Sequence, residues 1–172
     1  MNKLSRHIYL TGMPGSGKSS LGKRVAASLR LPYVDTDILL TQSLKKDTRE
    51  ILEQYGERAF RDAETNLLVH LNTLSPCIIS TGGGVPLKEI NQKIMHDNGY
   101  VVLVDRPLSL IKSNIRIEKR PLLVEKGLSE LERIYDIRMP IYKKTADIIL
   151  TNTANLFEGI KQLEHLIRTQ ML

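Results

Sequence analysis

Residues 12 to 19 read Gly-Met-Pro-Gly-Ser-Gly-Lys-Ser and fit the pattern G-x-x-x-x-G-K-[ST]. Each position has a physical task. The glycines let the backbone turn until successive N–H groups converge on phosphate oxygens. Lys18 brings a mobile point charge that can reach the β- and γ-phosphates. Ser19 offers a hydroxyl to Mg²⁺. The expected cradle runs through Gly15, Ser16, Gly17, Lys18, Ser19 and Ser20. A helix beginning there adds its positive N-terminal dipole. The implied ligand is a nucleoside triphosphate.

The flanking residues supply the elements such a loop needs. His7-Ile-Tyr-Leu10 is short and apolar, a buried strand, and Leu21, Val25 and Leu29 recur at helical spacing behind the loop. Four further strands are predicted at 32–35, 77–80, 100–104 and 147–151, with helical patterns between them. The longest helix is expected to place Phe60, Ala63, Leu67, Leu71 and Leu74 on one face, and a last helix within 152–172 to place Leu156, Ile160 and Leu163 together. Alternating strands and helices predict an α/β fold: a parallel sheet covered on both faces, with ligands beyond the carboxyl ends of its strands. Residues 112–128 differ. They are charged and broken by Pro121 and Gly127, and they read as a mobile lid that brings arginines over the phosphates.

Four other groups fall at those strand ends. Tyr33-Val-Asp35-Thr-Asp37 holds two carboxylates that share a direction if the strand continues; alternatively Asp37 caps the next helix. Phe60-Arg61-Asp-Ala-Glu64 combines an aromatic, a base and an acid, with a weak surface ion pair as its plain alternative. Ser80-Thr-Gly82-Gly83-Gly84 suggests close approach of backbone to a ligand. Arg138-Met-Pro-Ile-Tyr142 lies on a helical pattern interrupted by Pro140. Tyr100-Val-Val-Leu-Val-Asp105 has the form of an apolar strand ending in a metal-binding acid, but Asp105 reads as a cap of the following helix.

In this order, with the further Arg120-Pro-Leu-Leu, these motifs resemble the shikimate kinases across residues 7 to 151. The resemblance implies a three-layer P-loop fold of the nucleoside monophosphate kinase type, with five parallel strands in the order 2-3-1-4-5. It implies transfer of the γ-phosphoryl of ATP to the 3-hydroxyl of shikimate, with Mg²⁺. Carried over, Lys18 and Ser19 hold phosphate and metal, and Asp35 holds magnesium through water. Asp37 binds shikimate hydroxyls and is the candidate base. Arg61 and Arg138 grip the carboxylate, and Gly82, Gly83 and Gly84 line the substrate site. Arg120 meets the phosphates from the lid, and Arg116 lies near adenine. The whole chain 1–172 is expected to be one domain, with a substrate-binding region at 36–65. Guanidinium forks suit a planar carboxylate, in agreement with that assignment.

Composition narrows the setting. The chain has 172 residues, 41% hydrophobic and 26% charged, which suits one globular domain with a sizeable core. No apolar run approaches a membrane span, and the first strand follows so closely on Met1 that no signal peptide is expected. The single cysteine, Cys77, sits in an apolar segment and reads as inert core in a reducing cytoplasm. The formal charge of +6 suits anionic nucleotide and co-substrate. No basic run interleaved with aromatics points to nucleic acid, and a monomer is expected. A gluconate or nucleotide kinase of the same fold is the nearest rival, and the motif order argues against it.

Overall fold

The structure, a computed structural model, describes residues 4–114, 127–153 and 155–172. Five strands, β1 (His7–Thr11), β2 (Tyr33–Asp35), β3 (Ile78–Ser80), β4 (Gly99–Asp105) and β5 (Ile148–Thr151), form one sheet in the order β2-β3-β1-β4-β5. Every pairing is parallel, with Ile8 opposite Ile78 and Tyr100. The helices are α1 (Lys18–Leu29), α2 (Thr36–Leu44), α3 (Thr48–Leu71), α4 (Glu89–Asn98), α5 (Leu108–Asn114), α6 (Gly127–Thr145) and α7 (Leu156–Gln170). All five expected strands are present within a residue at each end.

β1 is buried along its whole length because helices cover both faces of the sheet. Ile8 and Leu10 pack with Leu21, Val25, Leu29, Leu163 and Ile167 under α1 and α7. Tyr9, between them, packs on the opposite face with Leu68, Leu71 and Met95 of α3 and α4. A third cluster, including Met13, Leu103, Ile134 and Tyr142, seats α5 and α6. A fourth, Leu40, Ile51 and Phe60, fastens α2 to α3. Cys77 is buried, and burial pushes its thiol up to about 11, as expected of inert core.

Four expectations need correction. α3 ends at Leu71, so Leu74 lies beyond it and is exposed; the buried face runs instead through Phe60, Glu64, Leu68 and Leu71. Leu156, at the first position of α7, is exposed, whereas Leu163 and Ile167 are buried. Pro140 does not interrupt α6, which continues through it to Thr145. Asp105 ends β4 while α5 begins only at Leu108, and its carboxylate faces Lys143 at 4.0 Å, so it is not a helix cap. Of the predicted lid, Lys112–Asn114 finish α5 and Gly127 and Leu128 start α6; the rest lies outside the described residues.

Candidate active site

The site gathers at the carboxyl ends of β1, β2 and β3. The phosphate-binding loop links β1 to α1, and it needs left-handed backbone at Gly12, Gly15 and Gly17, with φ of 137°, 81° and 100°. Gly17 is the N-cap of α1 and makes no side-chain cap, so the first N–H groups of the helix are not capped by a side chain there. Lys18 is buried and donates from Nζ to the carbonyls of Gly12 and Met13, both at 2.9 Å. The lysine therefore spans the mouth of its own loop. Ser16, within the loop, is buried, and Ser19 and Ser20 are exposed at its exit.

Ser19 Oγ donates to Asp35 Oδ2 at 2.6 Å. Asp35 Oδ1 accepts from the backbone N–H groups of Asp37 and Ile38 at 3.1 and 3.3 Å. Asp35 is thus the N-cap of α2, and the strand stops there. The alternation expected for a longer strand does not apply, and Asp37 is not the cap; it sits in the first turn of α2. Among the described residues no three His, Cys, Asp or Glu side chains cluster as a metal cage. One hydroxyl and one carboxylate suit Mg²⁺, which keeps waters and takes most other ligands from phosphate.

Beside this pair, the glycine segment after β3 meets two arginines. A Cβ on Gly82 would lie 2.5 Å from Asp37 Oδ1 and 3.0 Å from Glu64 Oε1. One on Gly83 would lie 3.3 Å from an Arg138 nitrogen, and one on Gly84 would overlap the Arg61 guanidinium. A side chain at Gly82 or Gly84 would force Asp37 or Arg61 to move, and one at Gly83 would be a tight fit. Side chains from α2, α3 and α6 converge where only backbone leaves room. Thr36 Oγ1 accepts from the Gly82 N–H at 2.9 Å, and Tyr142 donates its hydroxyl to the Gly83 carbonyl at 2.5 Å. The segment is tied down from both sides.

Arg61 and Glu64 are a buried pair rather than the surface pair that i,i+3 spacing alone suggests. Arg61 Nη1 donates to Glu64 Oε2 at 2.8 Å, and the two side chains are 16% and 3% exposed. Burial raises the Glu64 carboxyl above its ordinary range, Arg61 pulls it back, and Asp37 pushes it up again. On Arg61, burial works to lower the pKa, but Glu64 and Glu57 outweigh it and the group is held charged. Arg61 is also 5.2 Å from the Phe60 ring centroid, a cation–π contact. The fork is fixed from behind.

The sequence model of a family described as shikimate kinase matches residues 14–167. The chain belongs to the shikimate kinase family. A shikimate kinase of Clostridium botulinum (strain Eklund 17B / Type B) is 36% identical over 164 residues, 95% of this chain and 98% of that one. The solved structure of shikimate kinase from Acinetobacter baumannii in complex with shikimate superposes with a TM-score of 0.87 at 27% identity, over 97% of this chain and 96% of that one. The crystal structure of the shikimate kinase from Bacteroides thetaiotaomicron gives 0.85 at 28% identity, over 95% and 98%.

Within this shikimate kinase fold, Lys18, Ser19, Asp35, Asp37, Arg61, Gly82, Gly83, Gly84 and Arg138 come from five separate stretches and meet in one place. Arg116 and Arg120 lie outside the described residues. Thr36 and Tyr142 were not singled out from sequence as site residues, although each lies inside a quoted motif. Asn152 carried no local signal at all. It follows β5 and reaches back to the phosphate loop, which only the sheet order brings near.

Proposed function

We propose that this chain transfers the γ-phosphoryl group of ATP to the 3-hydroxyl of shikimate, giving shikimate 3-phosphate and ADP on the route to chorismate and the aromatic amino acids. The observation that carries this reading is the meeting of Arg61 and Arg138 on the glycine segment, beside Asp37 and the phosphate loop. That arrangement is two forked cations for a carboxylate, one acceptor for hydroxyls, and a phosphate cradle. It suits a small polyhydroxy acid held in line with a γ-phosphate.

In this reading the loop amides from Gly15 to Ser20 bind the ATP phosphates, and Lys18 leaves its own carbonyls to meet them. Ser19 and Asp35 would hold Mg²⁺, Asp35 through water; the ion neutralises charge on the phosphates when bound. Arg61 and Arg138 bind the shikimate carboxylate. Gly82 and Gly84 shape the pocket, and Gly83 offers a backbone donor. Asp37 orients the attacking hydroxyl and accepts its proton, which requires approach to ~3 Å. Arg120 joins the phosphates from the lid 112–128, and Arg116 lies by adenine. We read residues 1–172 as one domain with a substrate-binding region at 36–65. It works as a cytoplasmic monomer with no nucleic-acid or membrane partner. Among the described residues, no helix is long and apolar enough to cross a membrane.

Shikimate-dependent release of ADP from MgATP tests the reading, with gluconate, AMP, CMP and no acceptor as controls. Turnover with shikimate alone is expected. Tight MgATP binding without shikimate turnover would overturn the acceptor while leaving the loop's role intact.

A further inference from the structure

Asn152 follows β5, the edge strand of the sheet, yet it is 4% exposed. Its Nδ2 donates to the carbonyl of Ser16 in the phosphate-binding loop at 2.8 Å. Its own backbone is pinned on the other side. The Asn152 N–H donates to the Asp105 carbonyl at 2.7 Å, and its carbonyl accepts from Arg106 at 3.4 Å. The space around the amide is closed. A Cβ on Gly17 would stand 3.0 Å from Asn152 Nδ2, and one on Gly159 of α7 would stand 3.0 Å from its Oδ1. That Oδ1 is buried with no hydrogen-bond partner among the described residues. An orientation reversed end for end would set this oxygen against the Ser16 carbonyl, so the bond to Ser16 selects the orientation seen.

A trans peptide points its C=O and the next N–H in opposite directions. Holding the Ser16 carbonyl from beneath therefore aims the Gly17 N–H the other way, toward the mouth of the loop. We infer that Asn152 is a positioning residue for nucleotide binding, which sets the Ser16–Gly17 peptide so that the Gly17 N–H meets a phosphate oxygen. Among the described residues it touches the loop and no part of the acid-binding site, so its effect belongs to the nucleotide. The inference rests on the loop's being the ATP site.

The test is titration of the full chain and its Asn152→Ala variant with MgADP and, separately, with shikimate, together with KM for each substrate. Loss of one buried hydrogen bond is expected to weaken MgADP and raise the ATP KM about tenfold. Shikimate binding without nucleotide is expected to stay within about twofold, because the sites do not share this contact. Asn152→Asp keeps the volume but turns the donor into an acceptor facing Ser16, and it is expected to lose more nucleotide affinity than Asn152→Ala. An unchanged ATP KM, or equal loss of both ligands, would overturn the inference. A measurement on the unaltered chain stands beside the variants. The Asn152 side-chain amide protons are expected to show a cross-relaxation peak to Gly17 and slow exchange; fast exchange without that peak would also overturn it. Wild-type affinity for MgADP tests the nucleotide reading itself, whereas only the variant-to-wild-type ratio tests Asn152.

Discussion

The two halves of the site are built differently. The phosphate-binding half is one continuous stretch, Gly12 to Ser19, whose shape comes from its own glycines and the start of α1. The acid-binding half has no continuous stretch. Asp37, Arg61, the glycines and Arg138 sit on α2, α3, the segment after β3 and α6, and they meet only because the sheet brings those elements together. A local loop takes most of its shape from its own backbone, and here Asn152 adds a hold on the Ser16 carbonyl from outside the stretch. A dispersed site needs its side chains fixed by neighbours, and here Glu64, Thr36 and Tyr142 do that. Substitutions in the first half should therefore act on the nucleotide and leave the fold intact. Those in the second half should mix binding with stability.

The largest effect expected is at the junction of the halves. Asp37→Asn should lower kcat by about 10²–10⁴-fold if Asp37 accepts the proton, with the ATP KM little changed. Unchanged turnover in a steady-state assay would remove it from the chemistry. Lys18→Met should cost roughly 10²–10³-fold in kcat/KM, as for removal of one preorganised charge, and leave shikimate titration unaltered. A shikimate defect of similar size would mean that the halves are not separable.

Next come the two arginines, which divide the second half. Arg61→Ala and Arg138→Ala should each weaken shikimate by roughly 10- to 100-fold, with ATP affected far less. Thermal or urea unfolding should tell them apart. Arg61→Ala strands a buried acid and should cost about 3 kcal/mol, the low end for a broken buried pair, because Glu64 can take up a proton. Arg138 interacts with Glu64 over a longer range and with the Tyr142 hydroxyl, but the close ion pair of Glu64 is with Arg61, so Arg138→Ala should cost less. Equal losses of stability would deny that the Arg61–Glu64 pair is a special support.

The pH dependence of stability gives a smaller effect. The Glu64 carboxyl lies above its ordinary 4.5 in the folded chain, chiefly through burial. Between 4.5 and that raised value the folded chain binds more protons than the unfolded one. Glu64 therefore contributes stability that declines as pH rises through that window. Glu64→Gln should flatten this part of the unfolding profile, and a slope identical to wild type would contradict the assignment. The smallest effect expected is at Arg133, three residues after its partner Glu130: the Glu130 side chain is 10% exposed, but Arg133 is 60% exposed and its charge is screened by water. Replacing Arg133 by Ala should leave the unfolding midpoint close to that of the unaltered chain.

That contrast shows where sequence reading stops. Arg61–Glu64 and Glu130–Arg133 are both opposite charges three residues apart, in reversed order along the chain. Their worth differs because α3 turns Glu64 inward under the glycine segment. Likewise Leu74 and Leu156 fit an apolar periodicity that their helices do not use, since a helix end and a first turn fall at those positions. Pro140 has the form of a break, yet α6 continues through it with Met139 and Tyr142 buried on either side.

By itself the sequence determined the local and periodic features: five strands, the glycine loop with Lys18 and Ser19, and, through the order of motifs, the family. These depend on backbone freedom, side-chain period and residue type, all of which are written along the chain. Only the tertiary structure decided which residues support the motifs. Asp35 rather than Asp37 caps α2, Glu64 is buried, Tyr142 holds Gly83, and Asn152 reaches Ser16 across most of the chain. Those contacts depend on which elements the sheet order places side by side, and a contact between distant residues leaves no spacing in the sequence to read.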